Sequence, residues 1–217
     1  MVDYRYKEEI EIPLPNVILT GNISIPKNTD SIIVFAHGSG SSRHSSRNKF
    51  VAQLLHEAGF ATLLFDLLTL DEDKDYSTRF DINLLSQRLV IATQWLKSKP
   101  DFDLNIGYFG ASTGAAATLQ AAAQLRNLVK AVVSRGGRPD LALDFLPMVK
   151  APTLLIIGSL DYPVIQLNEV ALAQLTGEKQ LVIVEGATHL FEEPGKLEEV
   201  AAHASKWFSK YLKHVYA

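Results

Sequence analysis

The chain has 217 residues, 47% of them hydrophobic and 21% charged, with a formal charge of −3. That is enough apolar mass for one sizeable core, and with no long basic run the composition argues against nucleic acid or an anionic membrane as a partner. The sequence has no cysteine, which excludes disulfides, thiolate metal sites and a cysteine nucleophile.

The N-terminal stretch MVDYRYKEEIEIP is charged and alternating, without the apolar run of a signal peptide, and no later run is long enough to span a bilayer. A soluble cytoplasmic protein is therefore expected. Residues 8–12 and 17–25 alternate apolar and polar on either side of PLPN, which predicts an antiparallel hairpin at a sheet edge. The pattern then changes to short, nearly continuous apolar runs at 32–36, 61–65, 106–109, 131–134, 153–157 and 181–184. Runs without alternation suit strands covered on both faces. Helical spacing fills the gaps: Phe50, Val51, Leu54, Leu55 and Ala58 share one face, as do Ile82, Leu85, Leu89, Ala92 and Leu96, and later Val200, Ala204, Trp207, Phe208 and Tyr211. Strands alternating with helices predict an α/β domain with a doubly wound, mostly parallel sheet. No repeat or linker interrupts it, so one domain is expected over 1–217, and the segment 135–152 is too short for a substantial lid.

In an open parallel sheet, chemistry collects at the carboxyl ends of the strands. Three such ends carry matching residue types. The stretch YFGASTGAAA sets Ser112 between Gly110 and Gly114, after one strand run and before a small-residue helix. That is the context of a nucleophile on a sharp strand-to-helix turn, where side chains at the flanking positions would collide with their surroundings. LLIIGSLDYPV places Asp161 just after another strand, and LVIVEGATHLFEEPG places His189 after the last. A serine hydroxyl needs a base, and the base needs an orienting acid. The order Ser112, Asp161, His189 along one sheet edge supplies both. Taken singly, Asp161 also reads as a helix N-cap and His189 as a solvated loop residue. Asp66 is the second choice for the acid, ahead of Glu185, Asp140 and Asp144.

The glycines of VFAHGSGSS allow a close backbone approach to a substrate oxygen. The amides of Ser39 and Thr113 are the expected oxyanion donors, the alternative being that the glycines only make a tight turn. Arginines follow several strand ends. Arg47, Arg79 and Arg135 are candidates for gripping a substrate carboxylate, with Arg43, His44 and Arg138 nearby. Their other reading is bracing of loops through carbonyls or through Asp81 and Asp140. His37 reads as a strand-end residue braced by hydrogen bonds. With His44 it could suggest a metal, but no carboxylate cluster completes a site, so no metal is expected. The aromatic face of Trp207, Phe208 and Tyr211 reads as helix packing or as a homodimer surface.

From IIVFAHGSGSS through GASTGA and GSLDYPV to GATHLFEE, the chain resembles the α/β-hydrolase superfamily, and within it the compact dienelactone-hydrolase-like branch that lacks a large cap. The resemblance implies an eight-stranded, mostly parallel sheet with helices on both faces and a site that needs no cofactor. It also implies that Ser112 is the nucleophile, Asp161 the acid and His189 the base. Dienelactone hydrolases proper use a cysteine nucleophile, which this chain lacks. The expected activity is thus cleavage of a carboxylic ester or thioester of a small acyl substrate by a serine. Acyl transfer or peptide cleavage by the same three residues, and a non-catalytic binding module on the same fold, are the competing readings.

Overall fold

A computed structural model describes residues 2–213, and the domain limits expected at 1 and 217 lie outside them. Eight strands form one sheet: β1 (Tyr4–Pro13), β2 (Ile18–Pro26), β3 (Ser31–Ala36), β4 (Ala61–Phe65), β5 (Asn105–Ala111), β6 (Val129–Arg135), β7 (Thr153–Gly158) and β8 (Lys179–Val184), in the order β1-β2-β4-β3-β5-β6-β7-β8. The predicted hairpin is there: β1 pairs antiparallel with β2 at the sheet edge, closed by the Leu14 amide donating to the Val17 carbonyl at 2.9 Å. β2 also pairs antiparallel with β4, and every later neighbour is parallel. The sheet is thus mixed, mostly parallel and covered on both faces.

Five helices do the covering: α1 (Ser46–Glu57), α2 (Ile82–Lys97), α3 (Thr113–Leu125), α4 (Tyr162–Gln174) and α5 (Lys196–Leu212). Alternate strand residues divide between two cores. Ile32, Val34, Tyr108, Val132 and Leu155 pack with α2, α3 and α4, whereas Ile33, Phe35, Phe109, Val133 and Ile156 pack with α1 and α5. This is why the strands read as unbroken apolar runs. The aromatic face of α5 is largely spent inside the chain: Phe208 is buried, with its ring against Gly107 of β5, and the Trp207 indole donates to the Pro152 carbonyl. Among the described residues no helix is long and apolar enough to cross a membrane.

One expectation needs correction. Phe50 does not share the buried face of α1; it is 38% exposed. The stripe that faces the sheet is Asn48, Val51, Ala52, Leu55 and His56, the spacing of a helix that begins at Ser46, and Phe50 falls beside it. Between β4 and α2 the chain makes two short 3-10 helices, Glu72–Lys74 and Tyr76–Phe80. They are held by local side-chain bonds, such as Ser77 N to Asp75 at 2.9 Å, and carry no apolar periodicity to announce them.

His56 is a polar group in the buried stripe of α1, and it is satisfied. Its ring bridges Tyr4 Oη at 3.0 Å and Thr62 Oγ1 at 2.7 Å. Burial, with the field of Lys7, pushes its pKa down to about 4. As pH falls below about 6.5 the unfolded chain takes up this proton first. The histidine's contribution to stability is therefore full above that value and is lost as pH falls toward 4. Melting temperatures at pH 7 and pH 4.5 should show a larger acid-side drop in the parent than in His56→Gln; equal drops would show that His56 does not carry this sensitivity.

Candidate active site

β5 lies in the middle of the sheet and runs straight into α3, with only Ser112 between them. Ser112 has φ 52° and ψ −121°, a conformation that costs a non-glycine residue about 1–3 kcal/mol. Its neighbours explain why it is held there. A Cβ on Gly110 would lie 2.5 Å from Ala115 Cα, and one on Gly114 would lie 2.3 Å from the Ala36 carbonyl oxygen. Only glycine at both positions lets α3 start hard against β5 and the end of β3. The turn is then pinned by its backbone: Ser112 N–H donates to the Arg135 carbonyl at 3.3 Å, and Arg138 N–H donates to the Ser112 carbonyl at 3.1 Å.

The loop after β3 crosses over this turn. A Cβ on Gly38 would stand 3.1 Å from Ser112 Cβ. His37 braces the loop from below: its Nε2 accepts from Leu67 N–H at 3.0 Å and its Nδ1 lies 3.0 Å from the Gly38 carbonyl, which fixes Nδ1 as the donor. Burial holds its pKa below the usual histidine value, so the ring stays neutral. The braced reading of His37 is the one the geometry supports. Among the described residues no group of three or more His, Asp or Glu side chains could hold a metal ion. The Ser39 amide has no hydrogen-bond partner among the described residues. Thr113 is the first residue of α3, so its amide has no intrahelical acceptor.

Asp161 and His189 come from the ends of β7 and β8, and their loops are laced together. Ser159 Oγ accepts from Gly186 N–H at 2.8 Å, and Leu160 N–H donates to the Ala187 carbonyl at 3.0 Å. A Cβ on Gly158 would fall 2.2 Å from the same carbonyl oxygen. Phe191, fully buried at φ 58°, anchors the far side of the His189 loop. The outcome is a short contact of 2.6 Å between His189 Nδ1 and Asp161 Oδ2, with the imidazole 37% exposed and the carboxylate 12% exposed. Asp161 does occupy the N-cap position of α4, but its side chain makes no capping bond; the carboxylate goes to the imidazole instead. Two of the other candidate acids are engaged elsewhere. Asp66 holds Arg43 at 2.8 and 2.9 Å, and Asp140 holds Arg138 in a fork at 2.8 Å.

Ser39, Arg47, Ser112, Arg135 and His189 line one cleft of about 250 Å³. Within the described residues the Ser112 hydroxyl has no hydrogen-bond partner. Arg79 is not in this cleft. Its guanidinium is fastened to the carbonyl and carboxylate of Asp73, in an adjoining hollow that Ser39 and Thr113 also line. Arg47 reaches Glu192 at 2.6 Å. Arg135 is only 7% exposed, and its nearest acceptor is Asn48 Oδ1 at 3.5 Å. Burial, reinforced by the charge of Arg47, pushes its pKa down to about 10. Asn48 is a cleft residue that the sequence reading missed; the available signal was a polar side chain on the sheet-facing stripe of α1.

The model of the dienelactone hydrolase family matches residues 19–215. Two curated relatives from Mycobacterium tuberculosis strains, which bear the provisional name phosphoribosyl transferase, are 56% identical over 206 residues, covering 94% of this chain and 46% of theirs. This chain therefore spans about half the length of the curated relatives it matches. A solved dienelactone hydrolase from Anabaena variabilis is 56% identical with a TM-score of 0.93, over 96% of this chain and 99% of that one. Est1E from Butyrivibrio proteoclasticus shares the fold at 18% identity, with a TM-score of 0.80 over 93% of this chain and 98% of that one.

The tight start of α3 can be tested directly. Gly114→Ala should destabilise the protein by about 2 kcal/mol or more, since the added carbon meets backbone rather than a side chain that can move. Chemical denaturation measures this; an unchanged midpoint would show that α3 can step back from β3 at no cost.

Proposed function

The chain belongs to the dienelactone hydrolase family, and on that premise we propose that it is a serine hydrolase that cleaves a carboxylic ester or thioester of a small substrate through an acyl-enzyme. The observation that carries the proposal is the arrangement of a strained, hydroxyl-bearing turn at Ser112 in the same cleft as an imidazole held by Asp161 at 2.6 Å. A serine hydroxyl is a weak nucleophile until a base removes its proton. With Nδ1–H donating to Asp161, the Nε2 atom of His189 is left as the acceptor for that proton.

In the first step Ser112 Oγ attacks the acyl carbon, its proton passes to His189 Nε2, and the carbonyl oxygen takes up the negative charge. The amides of Ser39 and Thr113 receive that oxygen, each lowering the barrier by about 3 kcal/mol. Collapse of the adduct breaks the bond to the alcohol or thiol, which leaves with the proton from His189. Water then repeats the sequence on the acyl-enzyme: its proton goes to His189, its oxygen bonds to the acyl carbon, and the proton returns to Ser112 as the acid departs. Asp161 fixes the tautomer of His189 throughout and stabilises the imidazolium. The cleft lies just below the ~300–1,000 Å³ usual for ligand pockets, which favours small substrates.

The transferase name of the mycobacterial relatives describes chains of which this one spans 46%. The stretch they share with it takes in 94% of this chain and so most of the region matched by the hydrolase family, and a name given to the whole of a longer chain is no guide to the chemistry of this cleft.

Hydrolysis of p-nitrophenyl acetate should fall by about 10³-fold or more in Ser112→Ala and by a comparable factor in Asp161→Asn, with melting temperatures close to the parent's. Parent-like turnover in Ser112→Ala would remove the serine from the mechanism. A folded parent that turns over no ester or thioester would leave a binding module on a hydrolase fold.

A further inference from the structure

Side chains along β6 alternate between the faces of the sheet. Ala131 and Val133 pack with Val51 and Leu55 of α1, so Arg135, two residues further, projects on that same face toward the start of α1. A guanidinium carries five N–H donors and is normally paired when buried. Arg135 has no ion-pair partner among the described residues: it is 7% exposed, its guanidinium reaches Asn48 at 3.5 Å, and its Nε and Nη1 are buried without a hydrogen-bond partner. The charge beside it has the same sign, since Arg47 lines the same cleft.

The other features of this cleft wall favour negative charge as well. α1 is 12 residues long and begins here, with no acidic residue in its first turn. The positive end of its dipole and its first amides therefore face a space already lined by two arginines. No carboxylate lines the cleft among the described residues; Glu192, 60% exposed, holds Arg47 from the rim. Leaving a buried cation without a counter-charge is costly, and no described residue forms an ion pair with Arg135. A bound anion would.

We infer that Arg135, Arg47 and the N-terminus of α1 form a binding site for an oxyanion, a carboxylate or a phosphate, carried by the same small substrate whose ester Ser112 attacks. That the anion and the scissile bond belong to one molecule rests on the serine-hydrolase reading; the anion site itself does not. Bound there, the charged end of the substrate sets the position of its acyl carbon over Ser112, so the site selects among esters.

The test compares three p-nitrophenyl esters of matched chain length: the neutral pentanoate, the monoglutarate with a terminal carboxylate, and the 4-phosphonobutanoate. The parent should prefer at least one charged ester over the neutral one by about 30-fold in kcat/KM, and the preferred ester identifies the anion as carboxylate or phosphate. Arg135→Met should reduce that preference to near unity, and Arg135→Lys should restore part of it. Asn48→Asp, which sets a carboxylate against Arg135 from within, should abolish the preference while raising the melting temperature, so the result does not depend on how well the methionine variant folds. Ser112-dependent hydrolysis with no preference for either charged ester would overturn the inference and leave the hydrolase reading standing. If the parent hydrolyses none of the three, calorimetry with glutarate and inorganic phosphate decides the site, and p-nitrophenyl acetate decides the hydrolase reading separately. Binding by the parent that is lost in Asn48→Asp upholds the anion site, and no binding by the parent overturns it.

Discussion

The architecture of the site depends on how closely α3 is allowed to approach β3 and β5. Two positions without side chains, Gly110 and Gly114, set that distance, because any Cβ there would overlap backbone of Ala115 or of Ala36. The helix that follows is correspondingly small-residued and buried, with Ala115, Ala116, Ala117, Ala121 and Ala122 inaccessible to solvent. Packing of that alanine face offsets the strain at Ser112, whose positive φ joins a strand and a helix set this close together. The same geometry raises the serine to the carboxyl edge of the sheet and brings the loop after β3 across it.

A second constraint acts across the sheet. β7 and β8 are parallel neighbours whose exit loops share hydrogen bonds through Ser159, Leu160, Gly186 and Ala187. This stitching, rather than any feature of Asp161 or His189 themselves, places the carboxylate within 2.6 Å of the imidazole. The carboxylate side is mostly shielded and the imidazole side is open to the cleft, so the pair is fixed at one end and accessible at the other. On the wall formed by β6 and α1 the electrostatics are reversed. There a buried guanidinium stands beside a second one with no carboxylate between them, and the cleft is cationic where a substrate would extend away from the serine.

Much of this could be read from the residues. Both faces of the central strands are covered, so the strands announce themselves as apolar runs, and the hairpin at residues 8–25 announces itself by alternation because one face is wet. The order of Ser112, Asp161 and His189 follows from strand ends alone. What could not be read depends on parity and on distant partners. Asp66 and Asp161 both follow strands, and only the fold shows that Arg43 occupies the first. Arg79 and Arg135 look alike in sequence, but Arg79 meets Asp73 six residues away, whereas the nearest acceptor for Arg135 is Asn48, 87 residues away. Its lack of a partner is a property of the whole cleft. Phe50 was misplaced because the helix start, set by Ser45 accepting from Asn48 N–H, decides which stripe faces inward. The short 3-10 helices before α2 are built from local side-chain bonds, which leave no periodic trace.

The central claim is that Ser112 is a nucleophile activated by His189. It is tested most directly by reacting the folded protein with a fluorophosphonate probe and locating the adduct by peptide mass spectrometry. The account predicts one adduct per chain, on Ser112, and a loss of labelling in a folded His189→Ala variant. An unlabelled parent, or labelling of Ser112 that proceeds equally fast without His189, would contradict it.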